Sequence, residues 1–325
     1  MTKKQRINLS IKVLVSVGLV SLLLLKVNVW DILVSLRRIT PTAMALYAVV
    51  LLLGMGISSY KWRLLVRFKG FDATLAQCFR FYITGSFINN FFPSFIGGDA
   101  YRAYQVARHD RRFAAAATTV VMDRITGLLG AMALSVFFAL VNIAEVVRHP
   151  VLLMIVAVIA SGLLFVLCLD FLMRMRLWKF FARFVPAPAR NVLRSDSGRK
   201  AVEFLRALHE YSVHRVLFAK AFGMSVLFGL VGLALLNFIL IVSLGIRIGI
   251  LDYLSVIFLI SIISSIPISV GVPEWAYVMS FGFFGVSAPS IVAVAIMIRI
   301  LQMVVTLTAL PMYLASRSDS GIDKN

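Results

Sequence analysis

Long apolar runs separated by short basic segments organise this chain, and most of the runs reach the roughly 18 to 20 residues that span a bilayer as a helix. Lys3, Lys4 and Arg6 precede the run Ile11 to Leu25, and Lys26, Val27, Asn28, Val29 and Trp30 follow it without a small-residue cleavage site. The pattern predicts an uncleaved first span with its N-terminus in the cytoplasm. A second span is expected over Thr42 to Tyr60, ending in Lys61, Arg63, Arg67 and Lys69, and two more over Phe113 to Asn142 and Val151 to Phe171. Later spans are expected over Val216 to Leu244 and Pro289 to Leu314, with Arg317 placing the C-terminus inside. Two further apolar stretches are interrupted: Thr74 to His109 breaks at Pro93 to Asp99, and Leu251 to Gly285 breaks at Pro267 to Glu274.

Composition agrees with an all-α polytopic membrane protein forming a single membrane domain over 1–325. Hydrophobic residues are 61% of the 325 positions and the mean hydropathy is +0.94, leaving too little polar surface for a soluble fold. The net charge of +19 does not point to nucleic acid, because the basic residues sit between apolar runs, where anionic lipid headgroups are the partner. From Arg174 to Lys220, eleven Lys or Arg face only Asp196, Glu203 and Glu210, which assigns a cytoplasmic connector over 172–215. Within it Met173, Leu177, Phe181 and Phe184 recur at helical spacing among Arg174, Arg176, Lys179 and Arg183, as in a basic amphipathic helix at a headgroup interface; a solvated connector is the alternative. Cys78 and Cys168 make no disulfide framework, and His209 and His214, five apart, make no metal site, so no metal or cofactor is expected.

The chemistry concentrates in the two interruptions. Asp99 precedes Arg124 by 25 residues and Glu274 precedes Arg299 by 25 residues, and an offset of 175 also superposes Met122 on Met297 and Ile125 on Ile300. Ionisable groups at membrane depth are costly and mark function by default. Inverted-topology repeats over 42–142 and 217–314, each with a broken re-entrant hairpin, follow from this spacing and the topology above. Each arginine falls about ten residues into its span, roughly 15 Å, or half of a 30 Å hydrocarbon core. Pro93, Pro267 and Pro273 break the helices, and Gly97, Gly98 and Gly271 allow close backbone approach. The restarted helices direct free N–H groups into a cavity that Asn89 and Asn90 line. Asp123 cannot share the helical face of Arg124 and is expected to line the cavity from the side or orient another group, while Arg102 either reaches the site or snorkels inward. Converging arginines, amides and helix ends suit a phosphate; a purely structural role for the two acid–arginine pairs is the alternative.

The stretches Asn89 to Pro93 and Gly97 to Arg102, with Met122-Asp123-Arg124, Pro267 to Glu274 and Arg299, resemble the flippase-like transmembrane family that includes the membrane region of lysylphosphatidylglycerol synthases. The resemblance covers nearly the whole chain. It implies movement of a lipid with a modified or glycosylated headgroup between leaflets of the cytoplasmic (inner) membrane. In the synthases a soluble aminoacyltransferase domain follows the membrane region, whereas this chain ends at Asn325, shortly after its last span, so headgroup synthesis is not expected of it. Walker-type loops, Gly-x-Ser-x-Gly elbows and His/Cys clusters are missing from the sequence. The reading is a non-enzymatic flippase. The alternatives are an integral-membrane transferase using Asp99 and Glu274, and a scaffold for a lipid-synthesis enzyme; a homo-oligomer or such an enzyme are the protein partners it admits.

Overall fold

The computed structural model describes residues 30, 34, 37–90, 96–108, 110–174, 210–211, 213–266 and 271–311. The expected first span, most of the basic connector with its amphipathic segment, Pro93 and Pro267 lie outside these residues. All regular structure among the described residues is helical. The elements are α1 (Pro41–Phe68), α2 (Leu75–Asn89), α3 (Ile96–Ala107), α4 (Phe113–Val141), α5 (Ile143–Arg148) and α6 (Pro150–Arg174). After the connector come α7 (Arg215–Phe228), a π-helical turn over Gly229–Leu235, α8 (Leu236–Ser243), α9 (Ile250–Ser264), α10 (Val272–Gly282) and α11 (Ala288–Leu307).

Five helical segments are long and apolar enough to cross a membrane: Pro41–Phe68, Phe113–Val141, Pro150–Cys168, Arg215–Ser243 and Ala288–Leu307. Five of the expected spans are therefore present with altered ends, and the changes are physical. The second expected span does not stop at Tyr60, because Lys61 is enclosed by acceptors from other helices and α1 runs on to Phe68. In the last, α11 ends at Leu307 in a turn over Thr308 and Ala309 and helix resumes at Leu310 and Pro311, while the expected end at Leu314 lies outside the described residues. The Val216 to Leu244 span is present but widens into a π turn, whose carbonyls take side-chain donors: the Tyr253 hydroxyl donates to Ala234 O, and Asn237 Nδ2 donates to Leu233 O at 2.7 Å.

Local signals explain the starts of the shorter helices. Thr74 and Gln77 form a reciprocal capping box at α2. Gly271 enters α10 with φ of +92°, a left-handed conformation that glycine adopts without a Cβ penalty. Pro273 follows in the first turn, where a missing N–H costs no hydrogen bond, so it initiates α10 rather than interrupting it.

Contacts join the elements into two similar groups. α2 packs on α1 and α3, and α3 on α4; α9 packs on the π turn and α10, and α10 on α11. The groups meet where α1 lies along α7, the π turn and α8, where α9 lies along α4, and where α11 lies against α1 and α2. Helix boundaries repeat at the same 175-residue offset: Leu75–Asn89 maps onto Ile250–Ser264 at both ends, Ala107 onto Gly282, and the start of α4 at Phe113 onto the start of α11 at Ala288.

The largest apolar core lies between these groups, with Tyr253, Phe258, Phe281, Leu240 and Ile291 fully enclosed. Outward faces are apolar as well: Val158, Leu164, Phe165 and Leu167 on α6 are exposed, which in a bilayer places them against lipid. Small residues permit the closest approaches, as expected where packing rather than hydrophobicity drives helix association. α2 and α3 nearly touch backbone to backbone, since a Cβ on Gly98 would stand 2.0 Å from the Gly85 carbonyl oxygen.

Candidate functional site

The first acid–arginine pair is made across the α3–α4 interface. Asp99 sits in the first turn of α3, where its charge also suits the positive end of the helix. Arg124, eleven residues into α4, grips it with a fork: Nε donates to Asp99 Oδ2 at 3.0 Å and Nη2 to Oδ1 at 3.1 Å. The Arg124 side chain is 48% exposed and that of Asp99 is 23% exposed, so the pair opens outward.

The second pair has the same construction. Glu274 lies in the first turn of α10 and Arg299 is eleven residues into α11. Arg299 Nη2 donates to Glu274 Oε1 at 2.6 Å, and the arginine is 43% exposed. The other oxygen, Oε2, accepts the Gly271 backbone N–H at 2.8 Å. Two half-exposed guanidinium groups are thus each held by one carboxylate at the start of a short helix, Arg124 through a fork and Arg299 through Nη2, and both present donors of the kind a phosphate also accepts.

Behind the first pair lies a set of charges that the second half lacks. Arg102, on α3, donates through Nη2 to Asp99 Oδ1 at 2.8 Å and through Nη1 to Asp123 Oδ2 at 3.0 Å. Its guanidinium is enclosed, with Cζ 5.1 Å from the Trp62 ring and 4.5 Å from the Tyr82 ring, both cation–π distances. Asp123 is only 3% exposed and also meets the Lys61 ammonium, Oδ1 to Nζ being 3.0 Å. Lys61 Nζ further donates to the Asp123 carbonyl at 2.9 Å and to Ser225 Oγ at 3.2 Å. Arg102 therefore does not snorkel, and Asp123 faces the helix interface rather than a cavity. The reason is mutual: each buried charge is offset only because the other is there, and removing one partner of such a pair costs about 3 to 5 kcal/mol.

Lys61 is the member that sequence reasoning missed, since it was assigned to the basic end of the second span. A signal was available in Asp123: a carboxylate one residue from Arg124 is turned about 100° from it on the helix, so it needs a separate cation.

The remaining predicted residues divide. Asn89 Oδ1 accepts the Gly98 N–H at 2.7 Å, and Asn90 Nδ2 donates to Thr306 Oγ1 on α11 at 2.8 Å. Both amides thus tie the hairpin to its surroundings, and the Gly98 and Gly271 N–H groups, expected to be free, are already taken by Asn89 and Glu274. Gly97 is partly enclosed beside Gly98. No group of three or more His, Cys, Asp or Glu that could hold a metal is found among the described residues. Two surface hollows, of about 510 Å³ at Phe238, Ile241 and Arg247 and about 490 Å³ at Phe68, His214 and Lys220, do not include the ion pairs.

The family model described as "Lysylphosphatidylglycerol synthase TM region" matches residues 9–309. The chain belongs to this family. With the five apolar spans, membership makes it an integral multi-pass membrane protein with a role in lipid handling. The comparison with curated proteins and that with solved structures gave no match.

Proposed function

We propose that the protein is a lipid flippase, moving a polar-headgroup lipid between leaflets of the cytoplasmic membrane, with Arg124 and Arg299 as the ligands of the headgroup phosphate. The observation that carries this reading is the matched pair of half-exposed arginines. An exposed guanidinium eleven residues into an apolar helix is costly against lipid tails and stable against water or a headgroup. Asp99 and Glu274 are the resident counter-ions, and a phosphate displaces them in turn. Arg102, Asp123, Asn89 and Asn90 position the first hairpin rather than touch the ligand.

Several features support an inverted repeat over 42–142 and 217–314. The helix ends coincide at the 175-residue offset, and the contact pattern recurs with α4 on α9 and α11 on α2 exchanging roles. α2, α3, α9 and α10 have 15, 12, 15 and 11 residues. At 1.5 Å per residue they extend about 16 to 23 Å, short of a core of about 30 Å. On this reading each pair enters and returns on one side as a re-entrant hairpin.

The test is leaflet exchange of labelled phospholipids in liposomes holding the purified chain. Exchange above protein-free vesicles is expected, and Arg124→Ala and Arg299→Ala each abolish it while the protein still elutes as a single species. If no anionic, aminoacylated or glycosylated lipid moves, the transferase and scaffold readings gain; if both variants move lipid at the parental rate, the site assignment fails.

A further inference from the structure

We infer that the hollow between the end of α1 and the start of α7 holds the headgroup of an anionic phospholipid, with His214, Arg215 and Lys220 as its ligands. The inference needs only a chain embedded in a bilayer, so it stands apart from the flippase reading.

The hollow measures about 490 Å³, within the range of small-molecule sites. Leu64 and Phe68, in the last two turns of α1, form one wall, and Leu217 with the three basic residues forms the other. α1 and α7 belong to different helical groups, so the hollow lies along the line where the groups meet. One membrane-crossing segment ends here at Phe68 and another begins at Arg215. Such a place is the level of the headgroups, and a basic rim beside apolar walls at that level takes a lipid with its acyl chains along the walls. A free phosphate has no use for the walls.

His214, Arg215 and Lys220 lie within about two helical turns, and among the described residues none of them is in an ion pair. Glu210, the carboxylate closest in sequence, is taken by Lys69, whose ammonium also stands 4.9 Å from the centre of the Tyr211 ring. Tyr211 is fully buried with Leu65, Met122 and Ala221, which anchors the chain just before the hollow. The His214 ring is set edge-on to Phe68, with centroids 4.7 Å apart. Packing of their neighbours thus brings three basic groups together with no carboxylate between them, and an anion relieves their repulsion. Arg215 offers a planar fork to phosphate oxygens, Lys220 a point charge, and His214 a ring N–H in either protonation state. Volume alone does not make such a site. The other hollow, of about 510 Å³, has Arg247 as its one basic lining residue.

The experiment titrates the full chain in detergent with phosphatidylglycerol, with phosphatidylcholine of the same acyl chains, and with glycerol phosphate, reading affinity from the rise in melting temperature. Phosphatidylglycerol is expected to bind more tightly than phosphatidylcholine, and glycerol phosphate to give no shift at the same concentrations. Arg215→Gln and Lys220→Gln should each weaken phosphatidylglycerol binding about fivefold, the effect of one cation near an anionic lipid surface, and leave phosphatidylcholine unaffected. Both side chains are exposed, so the variants melt like the parent without lipid. Arg80→Gln, which removes an exposed cation on α2 outside the hollow, should leave affinity at the parental value. Equal binding of the two lipids, a shift from glycerol phosphate that matches phosphatidylglycerol, or parental affinity in Arg215→Gln or Lys220→Gln overturns the inference. An equal loss in Arg80→Gln also overturns it, since diffuse surface charge then suffices. The fivefold loss on Lys220→Gln should persist in the Arg124→Ala/Arg299→Ala background; if it disappears there, the lipid is bound at the ion pairs and not in the hollow. A chain that meets these expectations and exchanges no lipid refutes the flippase reading alone.

Discussion

Replacing Gly98 by alanine tests whether the first hairpin is held by direct backbone contact. The new Cβ would stand 2.0 Å from the Gly85 carbonyl oxygen and 2.8 Å from Asn89 Nδ2, whereas ordinary contact begins near 3.4 Å. α2 and α3 must then separate by about 1.4 Å, and a gap of 0.5 to 1 Å already forfeits about a quarter to a half of the dispersion between facing atoms. Overpacking of this kind costs about 1 to 3 kcal/mol, and loss of the hydrogen bond from Gly98 N–H to Asn89 Oδ1 adds about 1 kcal/mol. A total of about 2 to 4 kcal/mol is expected, reduced by up to about 1 kcal/mol for the better helix propensity of alanine. The assay is thermal unfolding of purified protein in detergent across a graded series. Gly56 on α1 has nothing within 4 Å of an added Cβ, and Gly85 meets the Gly98 oxygen at 3.0 Å and Arg102 Cγ at 3.2 Å. Gly56→Ala should be neutral or stabilising, Gly85→Ala intermediate, and Gly98→Ala the most destabilised. Equal melting of Gly98→Ala and Gly56→Ala would refute the close crossing.

Arg102→Lys should destabilise by about 3 to 5 kcal/mol in the same assay, because a point charge cannot fork between Asp99 and Asp123 or stack between Trp62 and Tyr82. Tyr277→Phe leaves Asn237 Oδ1 without its hydroxyl donor inside the core and should cost about 1 to 3 kcal/mol, measured the same way. Arg124→Ala and Arg299→Ala complete the set, with lipid exchange as their readout.

What the sequence disclosed and what it withheld divide by the range of the interaction. Apolar runs are local, and five of the expected spans appear as long helices because intrahelical bonding is the cheapest way to satisfy a backbone in lipid. The acid–arginine spacing was legible because both partners of each pair lie in neighbouring elements of one half. Lys61 was not, since its acceptors are 62 and 164 residues away and a lysine after Ser59-Tyr60 looks locally like the end of a span. The π turn was equally hidden: its carbonyls are taken in part by Tyr253, on α9, which no periodicity in Gly229–Leu235 announces. Capture of the Gly98 and Gly271 N–H groups also escaped a reading based on helix dipoles alone. Asn89 and Glu274 lie close enough to take donors that a helix N-terminus otherwise offers to a ligand.

These captured donors alter what the proposed site can use. If the helix ends supplied the binding energy, the hairpin backbones would be the recognition elements, and side-chain changes would matter little. With Gly98 N–H bound to Asn89 and Gly271 N–H bound to Glu274, the proposed recognition falls to the two guanidinium groups, whose carboxylate partners are the groups a phosphate would replace. The helical frames agree at the 175-residue offset while the residues behind them differ, Lys61, Arg102 and Asp123 in the first half against Leu236, Tyr277 and Ile298 at the matching positions of the second. On the flippase reading Glu274, held by its bond to the Gly271 N–H, re-forms its contact with Arg299 with less reordering than a free side chain needs.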